Sequence, residues 1–441
     1  MRRDTRGTLL LTVSGAAAQA LGFFYRAALT RLIGAENMGL YQLILPVYAV
    51  VQSLAYVGLT VTVSRLTAEY CALGQPRMVR TVLGQALLLF VRVFAVLALL
   101  TAVLSDPLSA WVLGDARTRA GLLLLLPCLF LTGVENLHKH AFYGTGQVRV
   151  PALVEMGEQL IRVTAVLGLL VLFRPRGGES TVALIVAGML VCEVFSSAMM
   201  FMLGRRQLRG DCSLRRDNGL QRRMARVAAP IALTSLLGSL MGSVNAVVIP
   251  QQLVRSGWEA GEAMAAFGVL FGMALPMMLL PMCFVGALSL ILVPRLSEAR
   301  LTGGAARVRR MVRRGVTLAA AVLTVSLGVL LLAGPGLGTA LFHERSIASY
   351  LPLLAVGALL EGLHAVLSSM LNGLSRERMC AACGLTSDAV ELAVTFLLTA
   401  SLGLDAYLLG FCLSGLVGVF WAGLCLHREV NGKACRCTAA G

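Results

Sequence analysis

The chain has 441 residues, 57% of them hydrophobic and only 14% charged, with a mean hydropathy of +0.81. Soluble domains run nearer a quarter charged, and no single core buries a dozen apolar helices, so a soluble globular fold is excluded. The formal net charge of +16 does not indicate nucleic acid, because the basic residues sit between apolar runs without RNA-reading aromatics or zinc spacing.

The opening Met1-Arg2-Arg3-Asp4-Thr5-Arg6 before an apolar run has the form of a secretory signal, with Ala16-Ala17-Ala18 as a cleavage region. The apolar run continues to about Leu29 with Arg26 near its end, so an uncleaved first span is expected. Twelve apolar windows follow the length rule for a helix crossing a ~30 Å hydrocarbon layer. They lie near 8–30, 38–63, 81–104, 120–143, 150–173, 181–203, 227–250, 264–293, 315–341, 347–372, 379–403 and 405–427.

A spacing plan recurs along the chain. Ser64-Arg65-Leu66-Thr67-Ala68-Glu69 closes the second span, and Pro294-Arg295-Leu296-Ser297-Glu298 closes the eighth at an offset of 230. Gly144-Thr145-Gly146-Gln147-Val148-Arg149 and Gly373-Leu374-Ser375-Arg376-Glu377-Arg378 stand 229 apart. A near-constant offset at separate sites implies duplication, and duplication in a membrane protein points to a transporter.

Basic residues set the expected orientation. With the amino terminus in the cytoplasm, the inward segments 1–7, 64–80, 139–149, 204–226, 294–314, 373–378 and 428–441 hold 28 Lys and Arg. The outward segments hold seven, so both termini of this multi-pass protein are expected in the cytoplasm of a bacterial cell. The most basic loop divides six spans from six. The expected organisation is therefore an amino-terminal lobe 1–203, a basic linker 204–226, a carboxy-terminal lobe 227–427 and a tail 428–441. The fold class is all-α, with twelve transmembrane helices as two parallel six-helix repeats forming a V-shaped transporter. The linker reads as a topology anchor meeting anionic headgroups, and 66–80 and 296–314 read as interfacial amphipathic helices.

Eleven cysteines lie mostly inside apolar runs and read as small hydrophobes. Cys380-Ala381-Ala382-Cys383 has redox spacing without a partner pair, and Cys435 and Cys437 are acylation candidates in a basic tail. No nucleotide loop, zinc-protease motif or catalytic triad occurs, and an enzyme is not expected.

Ionisable groups inside spans cost ~2.5–3.5 kcal/mol each on insertion scales, so each needs a partner or a task. Glu158 and Arg162, four apart on one span, are expected to pair along the helix, and Arg92 and Glu193, at similar depth, across helices. Arg26 has no acid nearby in sequence and is the candidate contact for an anionic headgroup, with snorkelling to the outer surface as the alternative. The second half carries Glu361, Asp388 and Glu391 in spans without any arginine or lysine, and His364 stands one turn from Glu361. Carboxylates without a basic partner protonate or hold a cation, which makes these four the candidate ion-coupling group. Capping and headgroup-level solvation are the alternative for Asp388 and Glu391.

At Gly22-Phe23-Phe24-Tyr25-Arg26, Arg31-Leu32-Ile33-Gly34-Ala35-Glu36, Gly39-Leu40-Tyr41-Gln42 and Leu45-Pro46-Val47-Tyr48 the chain resembles the stage V sporulation protein B family. Ser64 to Glu69, Pro230-Ile231-Ala232-Leu233, Val248-Ile249-Pro250-Gln251 and Val293 to Glu298 continue the match. That family belongs to the multidrug/oligosaccharidyl-lipid/polysaccharide exporter superfamily. The resemblance places Gln42, Gln52, Tyr56 and Asn245, with Gln19, on spans that line a central cavity; helix-to-helix polar glue explains each equally well. The chain departs from the family at Gly58-Leu59-Thr60, where a Gly-x-Pro kink is usual, and at Asn245, where an acid is common. Lipid II flippases add two helices and an arginine pattern that matches here only at Arg26.

The resemblance implies an alternating-access flippase for a polyprenyl-linked saccharide or similar envelope precursor. A proton- or sodium-coupled drug or metabolite antiporter is the second reading, and a non-transporting scaffold of envelope synthesis or sporulation the third. The expected partners are membrane lipid and an amphiphilic, lipid-linked substrate, with no nucleic acid, and the protein is expected as a monomer. No cofactor is expected beyond a coupling proton or sodium ion.

Overall fold

The computed structural model describes residues 2–75, 77–208, 217–302 and 304–432. The centre of the basic linker and the tail cysteines Cys435 and Cys437 therefore lie outside the described residues. Every described element is a helix or a helical turn. This follows from the composition, because a chain in hydrocarbon must satisfy its backbone N–H and C=O groups internally.

The first helix, α1, spans Arg2–Gln52, and a π-helical turn at Ser53–Val57 joins it to α2, Gly58–Ala72. The remaining long helices of the first half are α3 (Met78–Val103), α4 (Arg119–Gly144), α5 (Arg149–Phe173), α6 (Gly178–Gln207) and α7 (Asn218–Arg255). In the second half α8 is Ala260–Phe267, continued by a π-helical turn at Gly268–Ala274 and by Leu275–Met278. Then come α9 (Met282–Thr302), α10 (Gly304–Leu337), α11 (Ile347–Gly373), α12 (Glu377–Leu402) and α13 (Asp405–Gly432).

Among the described residues, eleven helices are long and apolar enough to cross a membrane. The first of these, Ala17–Ala72, has 56 residues and carries two of the twelve predicted spans. At 1.5 Å per residue such a length far exceeds one ~30 Å hydrocarbon layer. Gly34, at φ 77° and ψ 171°, breaks the helix between them, a backbone conformation that L side chains resist. Large apolar side chains stand outward along the spans, including Leu99, Leu172, Leu397 and Phe420. Such exposure suits a surface solvated by lipid and not by water.

The chain forms two compact units, Met1–Val247 and Val248–Gly441, with the division falling inside α7. Both carry the duplicated plan as matched contacts. A side chain at Gly144 would come within 2.6 Å of Ser64 O and 2.7 Å of Thr67, and one at Gly373 within 3.1 Å of Val293 O and 3.3 Å of Leu296. Each pair of partners is related by the sequence offset, so the conserved spacing is that of a close helix approach. The π-helical turns at Leu108–Val112 and Gly338–Phe342 stand 230 apart, within one residue of the 229 that relates those contacts.

Ion pairs tie loops together at the helix ends. In the first unit Arg117 joins Glu36 and Asp115, each at 2.7 Å, and Arg223 joins Glu69 at 2.7 Å. The Asp115 hydrogen bonds and the Glu36 carboxylate raise the Arg117 pKa above its ordinary value. In the second unit Arg376 pairs with Glu429 at 2.6 Å, and Ser297 Oγ donates to Gly373 O at 2.7 Å. In the first unit these contacts fall at opposite ends of the second span, as a serpentine of membrane crossings requires, and in the second unit both lie at one end. Tyr56, Phe90, Phe94 and Phe130 form an aromatic core in the first unit, and Phe267, Phe271, Tyr407 and Phe411 one in the second.

Candidate functional site

The first unit holds its charge in a buried cluster on α4, α5 and α6. Glu158 and Arg162 lie one turn apart on α5 and pair, as the four-residue spacing predicts. Arg162 Nη2 also lies 3.5 Å from Glu193 Oε1 on α6, and its Nε donates to Cys192 Sγ at 3.5 Å. The expected Arg92–Glu193 pair is not formed. Arg92 Nη1 instead donates to Gln221 Oε1 at 3.1 Å, at the start of α7, where Gln221 Nε2 also donates to Gln85 at 2.9 Å. The two residues share a depth but not a direction, since α6 packs along α4 and α5 while this face of α3 meets α7.

Residues not expected as partners complete the cluster. Ser196 Oγ donates to Glu135 Oε2 at 3.0 Å, and Lys139 Nζ lies 3.2 Å from Glu135 Oε1. Lys139 stands four residues after Glu135, the same signal that finds Glu158–Arg162. Three carboxylates thus face two cations. Glu158, Cys192 and Glu193 present ligand atoms within 4.8 Å of one another, in the arrangement of a metal site. The Arg162 guanidinium touches all three, so a positive charge already occupies that position.

The expected cavity residues are spread along the same unit. Tyr56 Oη donates to Gln52 Oε1 at 2.9 Å, which joins two of them around the π-helical turn. The family's missing proline kink at Gly58-Leu59-Thr60 thus stands directly after a different helix irregularity, and π turns are frequent at functional sites. Gln42 is buried, and its Nε2 has no hydrogen-bond partner among the described residues. Asn245 is buried on α7. Arg26 is half-buried near Tyr25 and Tyr41, and among the described residues no carboxylate forms an ion pair with it.

A serine seam was not anticipated. Ser239 Oγ shares a 2.7 Å hydrogen bond with Ser53 Oγ, Ser235 Oγ donates to Ser53 at 3.1 Å, and Ser243 Oγ donates to Pro46 O at 3.2 Å. Ser235, Ser239 and Ser243 recur every four residues, so the stripe was visible in the sequence as one face of a helix. Small polar residues of this kind hold membrane helices close.

The second unit brings its candidate coupling residues together on α11 and α12. His364 is buried, with neither ring nitrogen hydrogen-bonded among the described residues, and its Nδ1 lies 3.7 Å from Glu361 Oε2. Asp388 lies within electrostatic reach of both. Glu391, nearly one turn further along α12, accepts from Ser414 Oγ of α13 at 3.4 Å. The Glu361 side chain is 39% exposed against 8% for His364, so a carboxylate stands at an accessible edge with the imidazole behind it. Cys383 is buried against Cys425, a neighbour that the Cys380–Cys383 spacing does not reveal.

Comparison with known proteins agrees with this architecture. Residues 5–300 match the model of a family described as polysaccharide biosynthesis protein. Stage V sporulation protein B of Bacillus subtilis (strain 168) is 26% identical over 299 residues, covering 66% of this chain. The match covers 58% of that relative's length, less than two thirds. The lipid II flippase MurJ of the same organism is 20% identical, over 97% of this chain and 83% of its own. A solved inward-facing multidrug resistance transporter of the MATE family superposes with a TM-score of 0.77, covering 93% of this chain and 94% of that one. At 15% identity this is likeness of fold. With more than half its length matched, on a multi-pass helical membrane fold, the chain belongs to the polysaccharide biosynthesis protein family.

Proposed function

We propose that this protein is an alternating-access flippase that carries a polyprenyl-linked saccharide, or a similar cell-envelope precursor, across the cytoplasmic membrane. The observation that supports this most is Arg26, a half-buried arginine in a predicted span with no carboxylate partner among the described residues. An unpaired guanidinium in hydrocarbon is costly, and a phosphate or diphosphate headgroup supplies its counter-charge in two-pronged geometry. Family membership supports a saccharide-bearing cargo, and a relative named as a lipid II flippase supports movement of a lipid-linked one. In this reading Gln42, Gln52, Tyr56 and Asn245 bind the sugar portion, and both termini face the cytoplasm. The test is the profile of polyprenyl-linked intermediates after depletion: one of them accumulates if the reading is right, and an unchanged profile removes it.

The second reading is a proton- or sodium-coupled antiporter of drugs or metabolites. It is favoured by Glu361, His364 and Asp388, which converge with no arginine or lysine paired to them among the described residues. An ion held there in only one conformation supplies the differential binding energy that driven transport needs. The two readings separate in proteoliposomes offered a lipid-linked saccharide or an organic cation under an imposed ion gradient.

A further inference from the structure

In the second unit a cavity of about 380 Å³ opens between the end of α9 and the start of α10. It is lined by Arg295, Glu298, Arg307, Arg310, Met311 and Arg314. Four guanidinium groups therefore face one carboxylate, and no described carboxylate forms an ion pair with Arg295, Arg307, Arg310 or Arg314. Arg307, Arg310 and Arg314 stand three and four residues apart, so one helix face gathers them. Like charges at that spacing repel, and the single carboxylate of Glu298 balances only one of the four, so a further anion in the cavity is favourable.

The same face then changes character. Leu318, Val325, Val329 and Leu332 continue it along α10, and all four are strongly exposed, Leu332 at 85%. A stripe of arginines thus runs without rotation into a stripe of outward-facing aliphatic side chains, at the point where the helix becomes apolar enough to span. An anion seated in the cavity therefore has an apolar surface beside it on which an acyl or prenyl chain can lie. Arg309 and Arg313, also near the start of α10, project to another face and line a separate groove with Leu367 and His427.

We propose that this cavity is a binding site for the phosphate-bearing headgroup of a membrane lipid, with the lipid chain lying along Leu318, Val325, Val329 and Leu332. Arginine suits the task because its planar fork meets two phosphate oxygens at once. The apolar continuation selects a lipid over a soluble phosphate, since only a lipid gains from both halves of the stripe.

The test is native mass spectrometry of the purified full-length protein, delipidated and then given phosphatidylglycerol or phosphatidylcholine. Phosphatidylglycerol should be retained in preference, and R307Q/R310Q should reduce its retention roughly tenfold, since each basic residue near an anionic headgroup contributes on the order of a fewfold. R309Q/R313Q removes the same charge from the other face and should leave retention within about twofold. Equal loss in both variants, or equal retention of the two lipids, overturns the site. Displacement of phosphatidylglycerol by inorganic phosphate at the same concentration overturns the lipid as its occupant. Should R307Q/R310Q fail to fold, photoactivatable phosphatidylglycerol on the unaltered protein decides: label confined to 295–332 supports the site, and label elsewhere overturns it.

Discussion

Arg162→Gln is expected to destabilise the first unit strongly, because it strands two buried carboxylates at once. The Glu158 and Glu193 side chains are 7% and 3% exposed, and the arginine between them is itself only 23% exposed. Removing one partner of a buried ion pair costs ~3–5 kcal/mol, chiefly through the uncompensated charge left behind. The excess carboxylate of the cluster places the expected loss toward the upper part of that range. Arg92→Gln is the control. Arg92 is exposed and donates one hydrogen bond to Gln221, so its loss should cost under ~1 kcal/mol. The triple change Glu158→Gln, Arg162→Gln, Glu193→Gln should recover more than half of the loss, because no charge is then stranded. Reversible unfolding of the reconstituted protein measures all three. If Arg92→Gln costs as much as Arg162→Gln, or if the triple variant recovers nothing, the cluster is not held by paired charge.

Arg26→Ala should abolish complementation at normal protein levels, and Arg26→Lys should restore it only in part, because the two-pronged phosphate contact is lost; a wild-type Arg26→Ala would leave the residue merely snorkelling. Glu361→Gln and Asp388→Asn should stop gradient-driven accumulation in proteoliposomes while sparing passive exchange, with Glu361 the more severe and Glu391→Gln the mildest. Gradient-driven transport at wild-type rates in all three would make these carboxylates structural. Cysteines at Ser256 and Glu344 should react with an impermeant reagent from outside, and one at Ala306 only after permeabilisation; the reverse pattern inverts the topology.

The membrane class, the number of apolar crossings and the duplicated plan could be read from the residues alone. Hydrocarbon permits few backbone solutions, so long apolar runs become helices whatever surrounds them. Local ion pairs were equally legible: Glu158 and Arg162 meet because four residues return a helix to the same face. The Gly144 and Gly373 spacing announced a repeat, although its cause, a helix passing too close for a side chain, is a tertiary fact.

What only the tertiary structure decided is direction around each helix axis. Depth along the membrane follows from counting residues, but the partner across a helix interface depends on how the helices are rotated and packed. That is why Glu193 meets Arg162 while Arg92 turns to Gln221, and why Glu135 finds Ser196 sixty-one residues away. It is also why Glu361, His364 and Asp388 gather in one place, while Arg307, Arg310 and Arg314 line one cavity and Arg309 and Arg313 another groove. Sequence supplies the charges and their heights in the bilayer; the rotation of the helices chooses which of them meet.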